Sequence, residues 1–422
     1  MLTRLELTDV GPAAHLEIEL APRLNFLTGD NGLGKTFLLD LVWWSLSGTW
    51  SRMPAAPNRG PGVDPKVSFT VGKLGHPSTT GGTMWFKKES QSWSAARPSG
   101  EQLVVQAHID GGFSVWDPVR NRHQPGGAQR TGLGLPPFMF ASDEVWDGLP
   151  RDAARKRCNG LIQDWAAWQR ENNEAFALLS RILTRLSPSP EEPLRPGALL
   201  RVSLDDVRDH PSIAAAYGQD VALVHASAGI RRIVALAYVL VWTWQEHLRA
   251  CELVEVEPVS ELVFLFDEVE AHLHPQWQRR LVPALLDVID TLSGTHELSV
   301  QLIVTTHSPL VLASAEPSFD PQRDAVFNFD LVDGEVQLEA VPWQRRGDVN
   351  SWLSSTIFDL DEPRSVEAEE AIARALALLR QDSPPTLEAI EAADERLRGV
   401  LGDVDRFWVR WSAFVESAQG RG

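Results

Sequence analysis

"LNFLTGDNGLGKTF", residues 24–37, runs a short apolar segment into a glycine-rich turn that ends in Lys35-Thr36 and then becomes helical in its spacing. The turn, Gly29 to Thr36, fits G-x-x-x-x-G-K-[ST] and sits between a predicted strand over residues 24–28 and a predicted helix over residues 35–47. Glycine tolerates the backbone curvature that lets successive N–H groups point at phosphate oxygens, and the positive end of the following helix faces the same place. Gly29, Asp30, Asn31, Gly32, Leu33, Gly34, Lys35, Thr36 and Phe37 are therefore the expected nucleotide-binding residues. Lys35 would neutralise β- and γ-phosphate charge, and Thr36 would place its hydroxyl on Mg²⁺. The competing reading is a chance glycine turn. The strand before it and the helix after it argue against that.

The other half of such a site lies more than two hundred residues away, in "FLFDEVEAHLHPQWQRR", residues 264–280. Residues 262–266 are a continuous apolar run of the kind buried on both faces of a parallel sheet, and the run ends at Asp267-Glu268. In a phosphoryl-transfer site the first acid supports Mg²⁺ and the second takes the proton of the attacking water, so Asp267 is read as the metal-supporting acid and Glu268 as the base. A rival reading makes His272, His274 and Glu270 ligands of Zn²⁺ or iron, but the chain has no HExxH helix and no spaced third histidine nearby. Taken singly, the two histidines read as loop or helix-entry packing, with Pro275 at a first helical turn.

Two further segments carry chemistry. "QLIVTTHSPLVL", residues 301–312, is a predicted strand whose carboxyl end carries His307, where open α/β sheets bind ligands. His307 is within the reach expected of a group that bonds the γ-phosphate or the attacking water, against the ordinary reading of a structural histidine. "HASAGIRRIVALAYVLVW", residues 225–242, sets the small residues Ser227, Ala228 and Gly229 just before an amphipathic helix. This is a second candidate anion site. One chain cannot easily aim both anion sites at one γ-phosphate, whereas a twofold-related second chain can.

Composition bounds the partners. Lys plus Arg number 39 against 57 Asp plus Glu, a net charge of −18, which excludes a surface that binds polyanions everywhere and confines nucleic-acid contact to a local basic groove. "RDAARKR", with Arg151, Arg155, Lys156 and Arg157, is the best such cluster, and a solvated helix face is the competing reading. Cys158 and Cys251 are far apart and outside any CxxC, so neither a disulfide framework nor a zinc site is suggested. No leader pattern and no long apolar run appears, so a cytoplasmic protein without membrane partners is expected.

The predicted fold is α/β, with a mostly parallel core sheet, an antiparallel β insert, a helical subdomain and a C-terminal helical extension, and the resemblance carried by the motif order implies a P-loop NTPase of ABC type. Residues 1–345 form the expected ATPase domain, with the insert at about 60–137 and the helical subdomain and Pro-rich linker at about 150–200. Residues 346–422 form the helical region. Gln106 falls in the insert on this reading, and no glutamine is assigned to the metal. Trp43 and Trp44 are read as core anchors, and Trp408 and Trp411 as packing onto the chain's own body in preference to a partner-docking face. No internal repeat and no heptad arm is evident.

The order of motifs (Walker A at 29–36, an xSxGxR signature at 226–231, DE-x-E-x-HLHP at 267–275 and TTHSP at 305–309) resembles the ABC-type ATPases of the OLD, RecF and SMC-like branch. Within that branch the chain looks like compact bacterial AAA-family ATPases of antiphage defence, of the PtuA/Septu and PARIS type. The likeness extends to about residue 380 and includes "DGGFSVWDP" (110–118), "NGLIQDWAAWQRE" (159–171) and "FDLDEPRSVEAE" (358–369). It implies ATP and Mg²⁺ as ligands, Lys35 and Thr36 on phosphate and metal, Asp267 supporting the metal, and Glu268 as hydrolytic base. It further implies Ser227 and Gly229 as caps on the partner subunit's nucleotide, with Ala228 between them, and His307 as a switch histidine.

A homodimer, or an assembly of dimers, acting on a separate effector such as an HNH or Toprim nuclease is the implied arrangement, with nucleic acid as a further partner. Two features depart from the pattern. The signature reads ASAGI in place of LSGGQ, and the last 80 or so residues show no Toprim-like acidic constellation. A RecF-like DNA-binding ATPase of repair is the alternative. A membrane-transporter subunit conflicts with HLHP and TTHSP, and a nonenzymatic scaffold conflicts with an intact Lys35, Asp267 and Glu268.

Overall fold

Residues 24–29 form a strand because Leu24, Phe26 and Leu27 fill both faces with apolar side chains and leave no polar alternation for solvent, and all three are buried. In the computed structural model, which describes residues 1–58, 62–72, 79–94, 101–123, 134–152, 155–215, 217–294, 298–360, 363–381 and 385–419, this strand lies in the middle of an eight-stranded sheet. Leu24–Gly29 pairs in parallel with Ser299–Thr305 on one side and Asp324–Val332 on the other. Ser299–Thr305 pairs in parallel with Glu261–Phe266, and Glu261–Phe266 with Leu103–Ala107. Five parallel strands therefore bring Gly29, Thr305, Phe266 and Ala107 to one edge of the sheet. That is the edge where open α/β folds hold ligands.

The stretch read as one antiparallel insert over residues 60–137 divides between two sheets. Lys66–Gly72, Thr79–Lys87 and Ser92–Trp93 join the amino-terminal strands Leu2–Val10 and Ala13–Glu19 in a five-stranded antiparallel sheet. Leu103–Ala107 instead enters the core sheet beside the Asp267 strand, and only then do Phe113–Trp116 and Phe138–Phe140 extend it antiparallel. The physical reason is visible in LVVQA itself: every residue of the strand is buried, as a central strand requires. Gln106 thus belongs to the core and not to the insert. The opposite edge carries a hairpin partner, Glu335–Ala340, which turns back on Asp324–Val332 through Asp333-Gly334, both at positive φ.

The helix Lys35–Ser47 is buried almost all round, with Trp43 fully enclosed and Trp44 nearly so. Its side chains share one apolar cluster with residues of both sheets, including Leu5 and Val67 on one side and Val263 and Ile303 on the other. Each such side chain is worth about 1.5–3 kcal/mol on burial, so this helix anchors the glycine turn rigidly. The long helix Ala228–Val254 buries fifteen of its residues and packs with Glu174–Arg185 and Leu281–Ser293.

The chain forms two compact units, Met1–Gly347 and Asp348–Gly422. The second is built by Val366–Leu379, Leu387–Val400 and Phe407–Gln419 around Ala371, Ile372, Leu397 and Trp411. Trp411 is buried within this unit, its indole N–H donating to Asp394 Oδ1 at 2.9 Å. Burial raises both thiols above their ordinary range, Cys251 to about 11. No helix among the described residues is long and apolar enough to cross a membrane.

Candidate functional site

The glycine turn is fixed by conformations that only glycine takes easily. Gly29, Gly32 and Gly34 have φ of 116°, 81° and 105°. A Cβ at Gly29 would stand 2.1 Å from the carbonyl oxygen of Phe329, so a side chain there would prise the turn from the neighbouring strand. Lys35 is 6% exposed, and its ammonium donates to the carbonyls of Gly29 at 2.8 Å and Asp30 at 2.7 Å. Burial lowers its pKa, opposed by the charges of Glu268, Asp30, Asp267 and Glu270.

Thr36 ties the two distant motifs together. Its hydroxyl lies 2.8 and 2.9 Å from the two carboxylate oxygens of Asp267, a residue 231 positions away. Asp267 is fully buried, and Thr305 donates to its Oδ1 at 3.0 Å. The guanidinium of Arg52 reaches its Oδ2 at 3.2 Å. Arg52 also meets Asp40 at 3.3 Å, and Asp40 accepts from Gln106 Nε2 at 3.0 Å. Gln106 Oε1 and His108 Nδ1 are buried without a hydrogen-bond partner among the described residues. Burial, with the Arg52 charge adding to it, drops the His108 imidazole to about 4, so it is neutral at ordinary pH. The oxygen atoms of Thr36, Asp267, Asp40 and Gln106 form a hard donor set of the kind Mg²⁺ takes, and a carboxylate as deeply buried as Asp267 calls for a cation. The residues present fit that ion.

Glu268 holds φ of 45°, a left-handed conformation that costs a non-glycine residue about 1–3 kcal/mol and needs support. Its N–H donates to Thr305 Oγ1 at 2.6 Å, and its carbonyl accepts from Arg232 at 3.0 Å. Arg232 donates as well to the carbonyls of Asp267 at 3.1 Å and Ile109 at 3.0 Å. It rises from the helix opened by Ser227, so the signature helix is clamped to the backbone of the two acids. Arg232→Met is expected to leave the ATP KM within about twofold and to lower kcat by roughly tenfold or more, because a small displacement of a positioned group is costly. Steady-state rates over a range of ATP concentrations spanning KM check this, and an equal change in KM would reassign Arg232 to binding.

Glu270, the rival metal ligand, is engaged elsewhere. Its carboxylate accepts from Thr306 Oγ1 at 2.8 Å and from the N–H of His307, which fixes the turn that presents His307. Burial first and the Lys35 charge second depress the His307 pKa, which favours the neutral imidazole. His274 caps the short helix Pro275–Gln278 with Pro275 at its first turn, and no group of three or more His, Cys, Asp or Glu able to hold a metal ion occurs among the described residues.

Asn31, Gly32, Gly34, Lys35, Thr36, Phe37, Glu268 and His307 line one cavity of about 640 Å³, closed on one side by Trp50, Arg52 and residues 53–56. Ser227, Ala228 and Gly229 are not among its walls. Ser227 caps the helix Ala228–Val254, and a Cβ at Gly229 would stand 3.0 Å from the carbonyl oxygen of His272. Asp40, Arg52, Gln106 and Arg232 are the residues the motif reading missed. Asp40 was signalled by its place four residues after Thr36, on the same helix face. Nothing local marks Arg52.

Residues 4–90 match the family described as "AAA domain", and residues 135–313 the family described as "AAA domain, putative AbiEii toxin, Type IV TA system". The chain is 30% identical over 98 residues to "Retron Ec83 probable ATPase" of Escherichia coli, covering 23% of this chain and 15% of that protein. It is 26% identical over 170 residues to "Septu protein PtuA" of Bacillus mycoides (strain KBAB4), covering 37% of this chain and 20% of that protein. The matched stretches thus span a fifth or less of these relatives' own length. Among solved structures, the SMC head domain from Thermotoga maritima aligns with a TM-score of 0.40 at 16% identity, covering 81% of this chain and 99% of that one.

Proposed function

We propose, for a chain that belongs to the ABC-type ATPases of the OLD, RecF and SMC-like branch, that it hydrolyses ATP as a head-to-tail homodimer whose closing and opening control a separate effector. The observation that carries this is the hydroxyl of Thr36 against both oxygens of Asp267, with Lys35, Glu268 and His307 on the walls of the same cavity. The backbone N–H groups of residues 30–36 and the Lys35 ammonium bind the β- and γ-phosphates. Glu268 accepts the proton of the attacking water, and neutral His307 hydrogen-bonds the γ-phosphate or that water. Thr36 and Asp267, backed by Asp40 and Gln106, would hold Mg²⁺, which supplies charge neutralisation of the phosphates.

Ser227, Ala228 and Gly229 are not among the walls of this chain's own cavity, which supports their use on the nucleotide of a second copy. ATP held between two chains then stabilises the closed dimer, and ADP lacks the γ-phosphate that bridges them. Likeness to the retron probable ATPase and to the Septu protein PtuA supports antiphage defence as the setting, and the effector we propose for it is a nuclease of HNH or Toprim type. Phosphate release from ATP, followed with and without Mg²⁺ and with and without DNA, tests the reading. Metal-dependent release is expected, and its absence in a folded dimer overturns the assignment. A DNA-binding repair ATPase is the second reading, favoured by the meeting of Arg120, Lys156 and Arg157 at one cavity. It requires DNA-stimulated hydrolysis that falls steeply with salt.

Arg52 supplies the positive charge beside Asp267 that a metal would otherwise provide. Arg52→Ala is expected to lower the unliganded melting temperature, since breaking a buried pair leaves an uncompensated carboxylate. It is also expected to enlarge the upward shift of that temperature on adding Mg²⁺ alone. Equal Mg²⁺ shifts in variant and parent would show that Arg52 does not compete with the cation.

A further inference from the structure

We propose that the chain carries a second phosphate-binding site, separate from the nucleotide cavity, in which the paired guanidiniums of Arg120 and Arg157 on the ring of Phe138 receive the anion. The site lies at the outer edge of the core sheet, on the strand Phe138–Phe140, five strands across from Leu24–Gly29. A cavity of about 710 Å³ opens there, walled in part by Arg120, Lys156, Arg157, Arg249, Phe138 and Trp242.

The geometry of the two arginines differs from ordinary surface packing. Arg120 stands 3.8 Å and Arg157 4.8 Å from the centre of one and the same ring. Both donate to one carbonyl oxygen, that of Pro136, at 2.9 and 3.2 Å. Phe138 is itself fixed edge-on against Trp242, with ring centres 4.9 Å apart. Two like charges are thus drawn together and oriented by a shared carbonyl and a shared aromatic surface, at a cost in repulsion. Burial, with the Arg157 charge adding to it, pulls the Arg120 guanidinium down to about 10.

Asp117 and Glu246 also line the cavity and offset part of this charge, against the four cations Arg120, Lys156, Arg157 and Arg249. Asp117 Oδ1 already accepts from the N–H groups of Val119 and Arg120 and faces His247 Nδ1 at 3.1 Å. Glu246 is paired with Arg249 at 2.7 Å. Lys156 adds a further cation, its ammonium bonded to the carbonyl of Asp147. Arg120 has no ion pair with a carboxylate among the described residues. Guanidinium forks held in place present parallel N–H donors to a tetrahedral oxyanion, and the orientation is established before the ligand arrives. On a chain with a net charge of −18, a concentrated positive cavity selects a compact, highly charged anion over a diffuse one. The chemistry is that of a phosphate group, from either a small phosphorylated molecule or the backbone of a nucleic-acid strand.

The test uses the full chain carrying Lys35→Ala, so that phosphate does not report on the glycine turn, with inorganic pyrophosphate and a fluorescent single-stranded DNA oligonucleotide as probes. Adding Arg120→Gln is expected to raise the dissociation constant of at least one probe by about tenfold or more, since a charge-assisted fork is lost. Loss confined to pyrophosphate identifies a small-molecule site, and loss confined to the oligonucleotide a backbone site. Arg120→Lys keeps the charge and loses the fork, so it reads the same weakening if Arg120→Gln melts early. Absence of binding by both probes, or binding that neither substitution weakens, overturns the proposal. ATP hydrolysis by Arg120→Gln in the otherwise native chain, measured with no nucleic acid present, is expected to match the parent, which separates this site from the reading of the nucleotide cavity.

Discussion

Glu268→Gln is expected to slow ATP hydrolysis by about 10²–10⁴-fold, the range lost with a positioned general base, while ATP still binds. In free energy this is roughly 3–5 kcal/mol of barrier. The substitution keeps side-chain volume and leaves the backbone supports in place, because the contacts from Thr305 and Arg232 are to the N–H and carbonyl of residue 268 and not to its carboxylate. What is removed is the capacity to take a proton. If closure of two chains around ATP precedes hydrolysis, the variant should accumulate as an ATP-dependent dimer, readable by sedimentation in the presence of Mg²⁺ and ATP. Hydrolysis at the parental rate would remove Glu268 from the role of base and move attention to His307 on the same cavity wall.

The parts of the site that could be read from the sequence are those whose geometry is local. Gly29 to Thr36 carries its own conformation in the positive φ of three glycines, so spacing alone recovers it. Asp267 and Glu268 were legible because an apolar run that ends in two acids has one natural place in a parallel sheet, its carboxyl edge. Gln106 was misplaced because its strand sits among antiparallel neighbours in sequence and pairs in parallel with a strand more than 150 residues later. The unbroken apolar character of residues 103–105 was the signal that it is central.

Glu270 shows a different limit. An acid beside two histidines suggests a ligand, yet its oxygens hold the turn at Thr306 and His307, a partner set by tertiary structure alone. Arg52 and Arg232 belong to the same class. Each acts through a contact that spans tens to hundreds of residues, and no spacing rule reports it. Trp43, Trp44 and Trp411 are buried as aromatic anchors for the opposite reason: hydrophobic burial is nondirectional and needs only an available interior.

Lys35→Ala is expected to abolish turnover by weakening ATP binding by roughly 30- to 1000-fold, which corresponds to the loss of about 2–4 kcal/mol of charge-assisted contact with the phosphates. The effect reaches the unliganded protein too. The ammonium lies in the field of Glu268, Asp30, Asp267 and Glu270, and it donates to two carbonyls of the glycine turn. Removing it leaves those acceptors and acids less compensated, so a modest drop in melting temperature accompanies the loss of ligand binding. The discriminating measurement is the ligand-induced shift. A ligand at a hundred times its dissociation constant stabilises the parent by about 2.7 kcal/mol, and the same concentration of Mg·ATP should stabilise the variant by about 0.9 kcal/mol or less. Glu268→Gln, by contrast, should retain the full shift. A Lys35→Ala chain that is stabilised by Mg·ATP as strongly as the parent would mean that the phosphates are held elsewhere, and the cavity joining Thr36 to Asp267 would lose its claim to the nucleotide.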